Sequence, residues 1–100
     1  MGSSGNNWPL RGEKSSNYEG GVRATAFMHW PGLPAKVQGS ESNDVIHVSD
    51  WLSTFVGGVA GLPIKEDDHK YAIDGVNQWN ALTVSGVTSA RNGALHEIGL

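Results

Sequence analysis

The sequence predicts an α/β fold, a parallel or mixed sheet with flanking helices, and three observations carry that expectation. A nearly continuous apolar run, Val22 to Trp30, is bracketed by Gly20-Gly21 and Pro31-Gly32. A second stretch, Val48 to Val59, repeats its apolar residues at three- and four-residue spacing. Glycine, at 14 residues, is abundant enough to imply long connections between such elements. The composition supports a chain that packs: 38% of its residues are hydrophobic and 17% charged, which excludes wholesale disorder. One hundred residues suffice for one small domain or a piece of a larger one.

The first element is a loop. Asn6-Asn7-Trp8-Pro9-Leu10-Arg11-Gly12-Glu13-Lys14 is irregular because Pro9 lacks an amide donor and Gly12 loosens the backbone. Within a few residues it carries an amide pair, two cations and an acid. Val22–Trp30 then reads as a strand, and its apolar continuity suits one covered on both faces. A buried helical turn is the competing reading, disfavoured by the bracketing glycines and proline. Residues 32–44, broken by Pro34 and Gly39, read as a surface connection.

A helix over Ser49–Ala60 follows, packing through Trp51, Phe55 and Val59. Ser49 or Asp50 is placed to accept hydrogen bonds from its first free amides. Gly57-Gly58 weakens the last turn, and Gly61 with Pro63 ends it. Lys65 to Lys70 is a charged loop and Asp74-Gly75 a turn. Val76–Leu82 predicts a short helix docked through Val76, Trp79 and Leu82. After a loop over residues 83–92, Gly93–Ile98 predicts a final strand.

Charge and motif content narrow the chemistry. A formal net charge of −3 without a basic run argues against a nucleic-acid surface. No apolar stretch approaches the roughly 20 residues that span a bilayer. With no cysteine there is no disulfide framework and no thiolate metal site. Lys14 stands out in the first loop, since an ammonium is a compact charge with three donors, suited to a tetrahedral oxyanion. Composition alone would make it solvated surface.

The run Asn6-Asn7-Trp8-Pro9-Leu10-Arg11-Gly12-Glu13-Lys14, with Tyr18-Glu19-Gly20-Gly21-Val22-Arg23, resembles the animal arylsulfatases of the arylsulfatase B type. The likeness continues through Val45-Ile46-His47-Val48-Ser49-Asp50-Trp51-Leu52-Ser53-Thr54, similar to the family's I-H-x-S-D-W-L-P-T helix opening, with Ser53 in place of the proline. It extends more loosely through Ile73-Asp74-Gly75-Val76 and Arg91-Asn92-Gly93-Ala94-Leu95-His96. It implies that residues 1–100 are a late part of a sulfatase catalytic domain, with its alkaline-phosphatase-like mixed sheet. It also implies hydrolysis of a sulfate ester, on a sulfated sugar or aryl sulfate, in a lysosomal or secreted setting.

Within that resemblance Lys14 corresponds to the lysine that contacts the ester's sulfate oxygens, a catalytic and substrate-binding role. Arg11, Arg23 and Asp50 are read as structural support: Arg23, at the junction of Gly20-Gly21 with the strand, as a buried arginine paired with a carboxylate, and Asp50 as a helix cap rather than a catalyst. For Arg11 the alternative is a reach toward the substrate rim. The family's cofactors are a calcium ion and a formylglycine made from the cysteine or serine of a C/S-x-P-x-R motif. No such motif occurs here, and the expected Asp-Asn metal pair would fall before Met1, so no residue of this chain is assigned to a metal. The chain alone is therefore expected to be inactive. Asp67, Asp68 and His69 have the elements of a metal site without its geometry, because neighbours in a loop seldom converge on one ion. Two alternatives remain at this point: an inactive truncated sulfatase-like protein, or a carbohydrate-binding module using exposed tryptophans. Coplanar exposed indoles would favour the module. Trp30, Trp51 and Trp79 lie in apolar periodic runs, which favours core.

Overall fold

A computed structural model describes residues 5–64 and 72–94. The expected charged loop with Asp67, Asp68 and His69 lies outside these residues, as do His96 and most of the expected final strand. The chain divides into two compact units, one ending at His29 and the other spanning Trp30–Ala94.

The first unit is a loop stitched by its own backbone. Leu10 N–H donates to Asn7 O at 2.7 Å, Ser16 N–H to Glu13 O at 3.0 Å and Gly20 N–H to Arg11 O at 2.8 Å. The Asn7 side-chain amide adds a bond to Gly12 O at 3.2 Å. The loop ends in one helical turn, α1 (Glu19–Val22). Beyond it the sequence expectation fails: Val22–Trp30 is not a strand, and no strand occurs among the described residues. Phe27 in the middle of that run is 95% exposed. The apolar pattern marks surface that needs covering, but a strand also needs a neighbour to take its amides and carbonyls, and none of the described residues supplies one.

The second unit is built on α2 (Asp50–Ser53), which runs on without a break into a π-helical stretch, Thr54–Val59. Its wide turn is closed by Ala60 N–H to Phe55 O at 2.9 Å, one residue beyond α-helical spacing. The glycine pair lies in this stretch, and at Gly58 the Trp79 side chain comes so close that a Cβ would collide with it. Helix α3 (Trp79–Thr83) sits across it. It starts later than the sequence suggests because the preceding amides are already engaged. Val76 N–H is taken by the Asp50 carboxylate, Gln78 N–H by the Thr54 hydroxyl and Trp79 N–H by the Asn77 side chain.

The helical expectation over 49–60 is met in place but not in packing. Among the described residues no apolar side chain is buried; the buried ones are Asp50, Ser53, Thr54 and Gln78. Val48, Leu52 and Phe55 are all more than half exposed. Trp51 and Phe55 stack on each other, ring centroids 5.7 Å apart, instead of filling a core. The tryptophans expected in the core are likewise only partly covered, with Trp30 and Trp79 meeting edge to face at 5.8 Å. The face that closes is the polar one, because it alone finds partners within these residues. No helix of the described residues is long and apolar enough to cross a membrane.

Candidate functional site

Lys14 is exposed and lies in the tight turn between Glu13 and Ser16. The Ser16 hydroxyl accepts from Glu13 N–H at 3.1 Å, closing the turn from the other side. Ser15, next to the lysine, takes a left-handed backbone with φ 72°, a conformation uncommon for a residue with a side chain. The lysine is thus displayed from a turn pinned on both sides, and no described residue bonds its ammonium.

Arg11 lies in the same unit, its guanidinium 4.1 Å from the centroid of the Tyr18 ring. That cation–π contact joins the start of the loop to its end. Arg23 follows α1 and pairs with Glu19 at 3.2 Å across one helical turn, with both side chains more than half exposed. It is therefore not the buried arginine that the glycine junction suggests. Surface pairs of this kind contribute little, roughly 0.3–0.5 kcal/mol.

Asp50 is the centre of the second unit. Its side chain is fully buried, and Arg91, 41 positions along the chain, faces it with a two-pronged ion pair. Arg91 Nη2 donates to Oδ1 at 2.6 Å and Nε to Oδ2 at 2.9 Å. Three further donors complete the shell: His47 N–H at 3.0 Å, Val76 N–H at 2.9 Å and the Gln78 side-chain amide at 3.1 Å. Arg91 also reaches the Asp74 carbonyl at 2.9 Å. Burial by itself pushes the Asp50 carboxyl up. The Arg91 guanidinium, the Val76 and His47 amides and the Gln78 side chain outweigh it and hold the group well below its ordinary value of 3.8. Arg91 is shifted upward in turn, chiefly by its hydrogen bond to Asp50.

Two hydroxyls extend this shell. Ser53 Oγ donates to Gly75 O at 2.8 Å, and Thr54 Oγ1 donates to Asp50 O at 2.7 Å while accepting from Gln78 N–H. Gly75 is packed against the Ser49 carbonyl so closely that a Cβ could not be accommodated. At the edge, Ser89 Oγ donates to Val45 O at 2.9 Å. The Ser49 side chain makes no capping bond to α2, and Asp50 turns its carboxylate back to His47 and across to residues 76–91 instead of along its own helix.

The sequence-predicted residues thus fall into separate places. Arg11, Lys14 and Arg23 belong to the first unit and Asp50 to the second. Sequence reasoning missed Arg91 and Gln78 as Asp50's partners. Arg91 appeared only within the loosest stretch of resemblance, and nothing local links positions 41 apart. Among the described residues no group of three or more His, Cys, Asp or Glu side chains is placed to hold a metal ion. The two nearest indoles, Trp30 and Trp79, meet at 87°, which is not a flat stacking platform.

Comparison with known proteins places the chain in a family. No family model and no solved structure matches the chain. Over 94 residues, 94% of its length, it is 36% identical to arylsulfatase J of Mus musculus, of which it spans 14%. The chain is an arylsulfatase-family sequence corresponding to a short part of that relative's length.

Proposed function

We propose that this segment serves a sulfuric ester hydrolase of the arylsulfatase type, and that Lys14 is its contribution to the chemistry. The observation that carries the reading is the display of Lys14: an exposed ammonium without a partner among the described residues, on a turn pinned by Glu13 and Ser16. A cation held that way would contact the sulfate oxygens and offset the charge that develops on them as the S–O bond breaks. Arg11, through Tyr18, and Arg23, through Glu19, support the loop from which it projects. Asp50 supports the second unit. The substrate class is a sulfated sugar or an aryl sulfate, and the setting lysosomal or secreted.

The family's calcium and formylglycine do not find their ligands here. The chain has no cysteine, no C/S-x-P-x-R motif and, among the described residues, no acidic or histidine cluster shaped for an ion. The hundred residues by themselves are therefore proposed to be inactive. The test uses a complete enzyme carrying this segment. Lys14→Ala should cut turnover of a chromogenic aryl sulfate and leave the unfolding midpoint unchanged. Lys14→Arg should restore only part of the activity, since a planar fork does not replace a point charge. Near-normal turnover in the alanine variant would return Lys14 to ordinary surface.

A further inference from the structure

The described residues contain two places where a side-chain carbonyl precedes a glycine amide in the arrangement that permits cyclisation: Asp74-Gly75 and Asn92-Gly93. The two are held very differently. At Asp74-Gly75 the backbone is tied on both sides. The Asp74 carbonyl accepts from Arg91, the Gly75 carbonyl accepts from Ser53, and Val76 N–H is fastened to the Asp50 carboxylate. Gly75 also lies against the Ser49 carbonyl. At Asn92-Gly93 both residues are exposed and belong to no helix. No hydrogen bond engages the Asn92 side chain or the Gly93 amide among the described residues, and the space a Cβ of residue 93 would occupy is open.

We propose that Asn92 is a site of spontaneous deamidation, while the Asp50–Arg91 pair shields the related Asp74-Gly75 step from cyclisation. In the reaction at Asn92 the Gly93 amide nitrogen, having lost its proton to solvent base, attacks Cγ of Asn92. A C–N bond forms, the Cγ–NH2 bond breaks, and the leaving nitrogen takes up a proton and departs as ammonia. The resulting five-membered succinimide is opened by water at either carbonyl. Attack at Cγ gives aspartate, and attack at the backbone carbonyl gives isoaspartate. No electrons are transferred and water is the only co-reactant. Glycine at the following position favours the attack because no side chain blocks the approach or restricts the backbone.

The same attack at Asp74 would expel water and give the succinimide, which water then reopens to aspartate or isoaspartate. It requires the residue 74–75 backbone to rotate, and the bonds through Arg91, Ser53 and Val76 resist that rotation together. The product at Asn92 matters for the second unit. It puts a new carboxylate one residue from Arg91, where it competes with Asp50 for the guanidinium, and isoaspartate adds a methylene to the backbone at that point.

The test is a timed incubation of the complete chain at mildly alkaline pH, in buffer and in urea, followed by peptide mapping. The readouts are the mass change of amide-to-acid conversion at Asn92 and isoaspartate at residue 74. Deamidation at Asn92 should proceed in buffer as fast as in urea. Isoaspartate at residue 74 should accumulate more slowly in buffer than in urea, and Asp50→Asn should erase that difference. Asn92→Gln should abolish the first signal and leave the second unchanged. Protection of Asn92 in buffer, or equal rates at Asp74 in buffer and urea, would overturn the proposal.

Discussion

The Lys14 loop and the Asp50 cluster invert each other. In the loop the Lys14 ammonium is exposed and has no partner among the described residues, and the geometry of its turn comes from bonds among close neighbours. In the cluster the charged group is wholly buried, and donors from four separate positions consume it, the farthest 41 residues away. A carboxylate so fully paired has no lone pair to spare for a substrate, whereas an ammonium without partners among the described residues has all three donors to give. Under the proposed function the contrast separates chemistry from support: Lys14 would act on a ligand, while Asp50 ties Val76, Gln78 and Arg91 to the helix.

Breaking the loop's side of the comparison should give the largest effect. In a complete enzyme, Lys14→Ala should lower turnover by about a hundred- to a thousandfold, the ~3–4 kcal/mol typical of one lost transition-state contact. Steady-state kinetics with an aryl sulfate, set beside a thermal unfolding curve that does not move, would check it.

The cluster should be sensitive to acid, and the sign follows from the direction of its shift. The Asp50 carboxyl is held below its ordinary value of 3.8, so the unfolded chain binds a proton more readily than the folded one does. Its stabilisation is therefore complete above that value and drains away as the pH falls beneath it. Arg91, shifted upward, stays charged throughout, and the His47 amide that faces the carboxylate does not titrate. Unfolding followed from pH 6 down to pH 2 should show a loss that Asp50→Asn flattens.

A smaller effect sharpens the same side. Thr54→Val keeps the shape of the side chain but leaves Gln78 N–H buried without an acceptor, which should cost about 1–3 kcal/mol in urea unfolding. The smallest effect belongs to the exposed pair in the loop unit. Glu19→Gln should change stability by less than ~0.5 kcal/mol, and the difference should vanish in high salt.

What was legible in the sequence depended on how far each feature reaches along the chain. The period from Val48 to Val59 located the helix because helical spacing is local. Gly12 and Pro9 announced the irregular loop for the same reason. The Val22–Trp30 strand was not legible, since apolar continuity says that a stretch needs cover but not whether a neighbouring strand is present to pair with it. Asp50 was noticed, but as a cap, because a cap is what an acid beside a helix start suggests when only its neighbours are considered. Its true partners, Arg91 and Gln78, carry no mark in their own surroundings. The polar interior around Ser53 and Thr54 escaped for a similar reason: both look like ordinary helix residues until Gly75 and Gln78 are brought beside them.

The division between the two regions is tested most directly by urea unfolding of two variants of the same chain. Asp50→Asn removes the charge that answers Arg91 and, as loss of one partner of a buried pair, should cost about 3 kcal/mol or more. Lys14→Ala, measured in parallel, should leave the midpoint where it was. A stable Asp50→Asn chain, or a Lys14→Ala chain that loses as much stability, would contradict the assignment of support to one region and chemistry to the other.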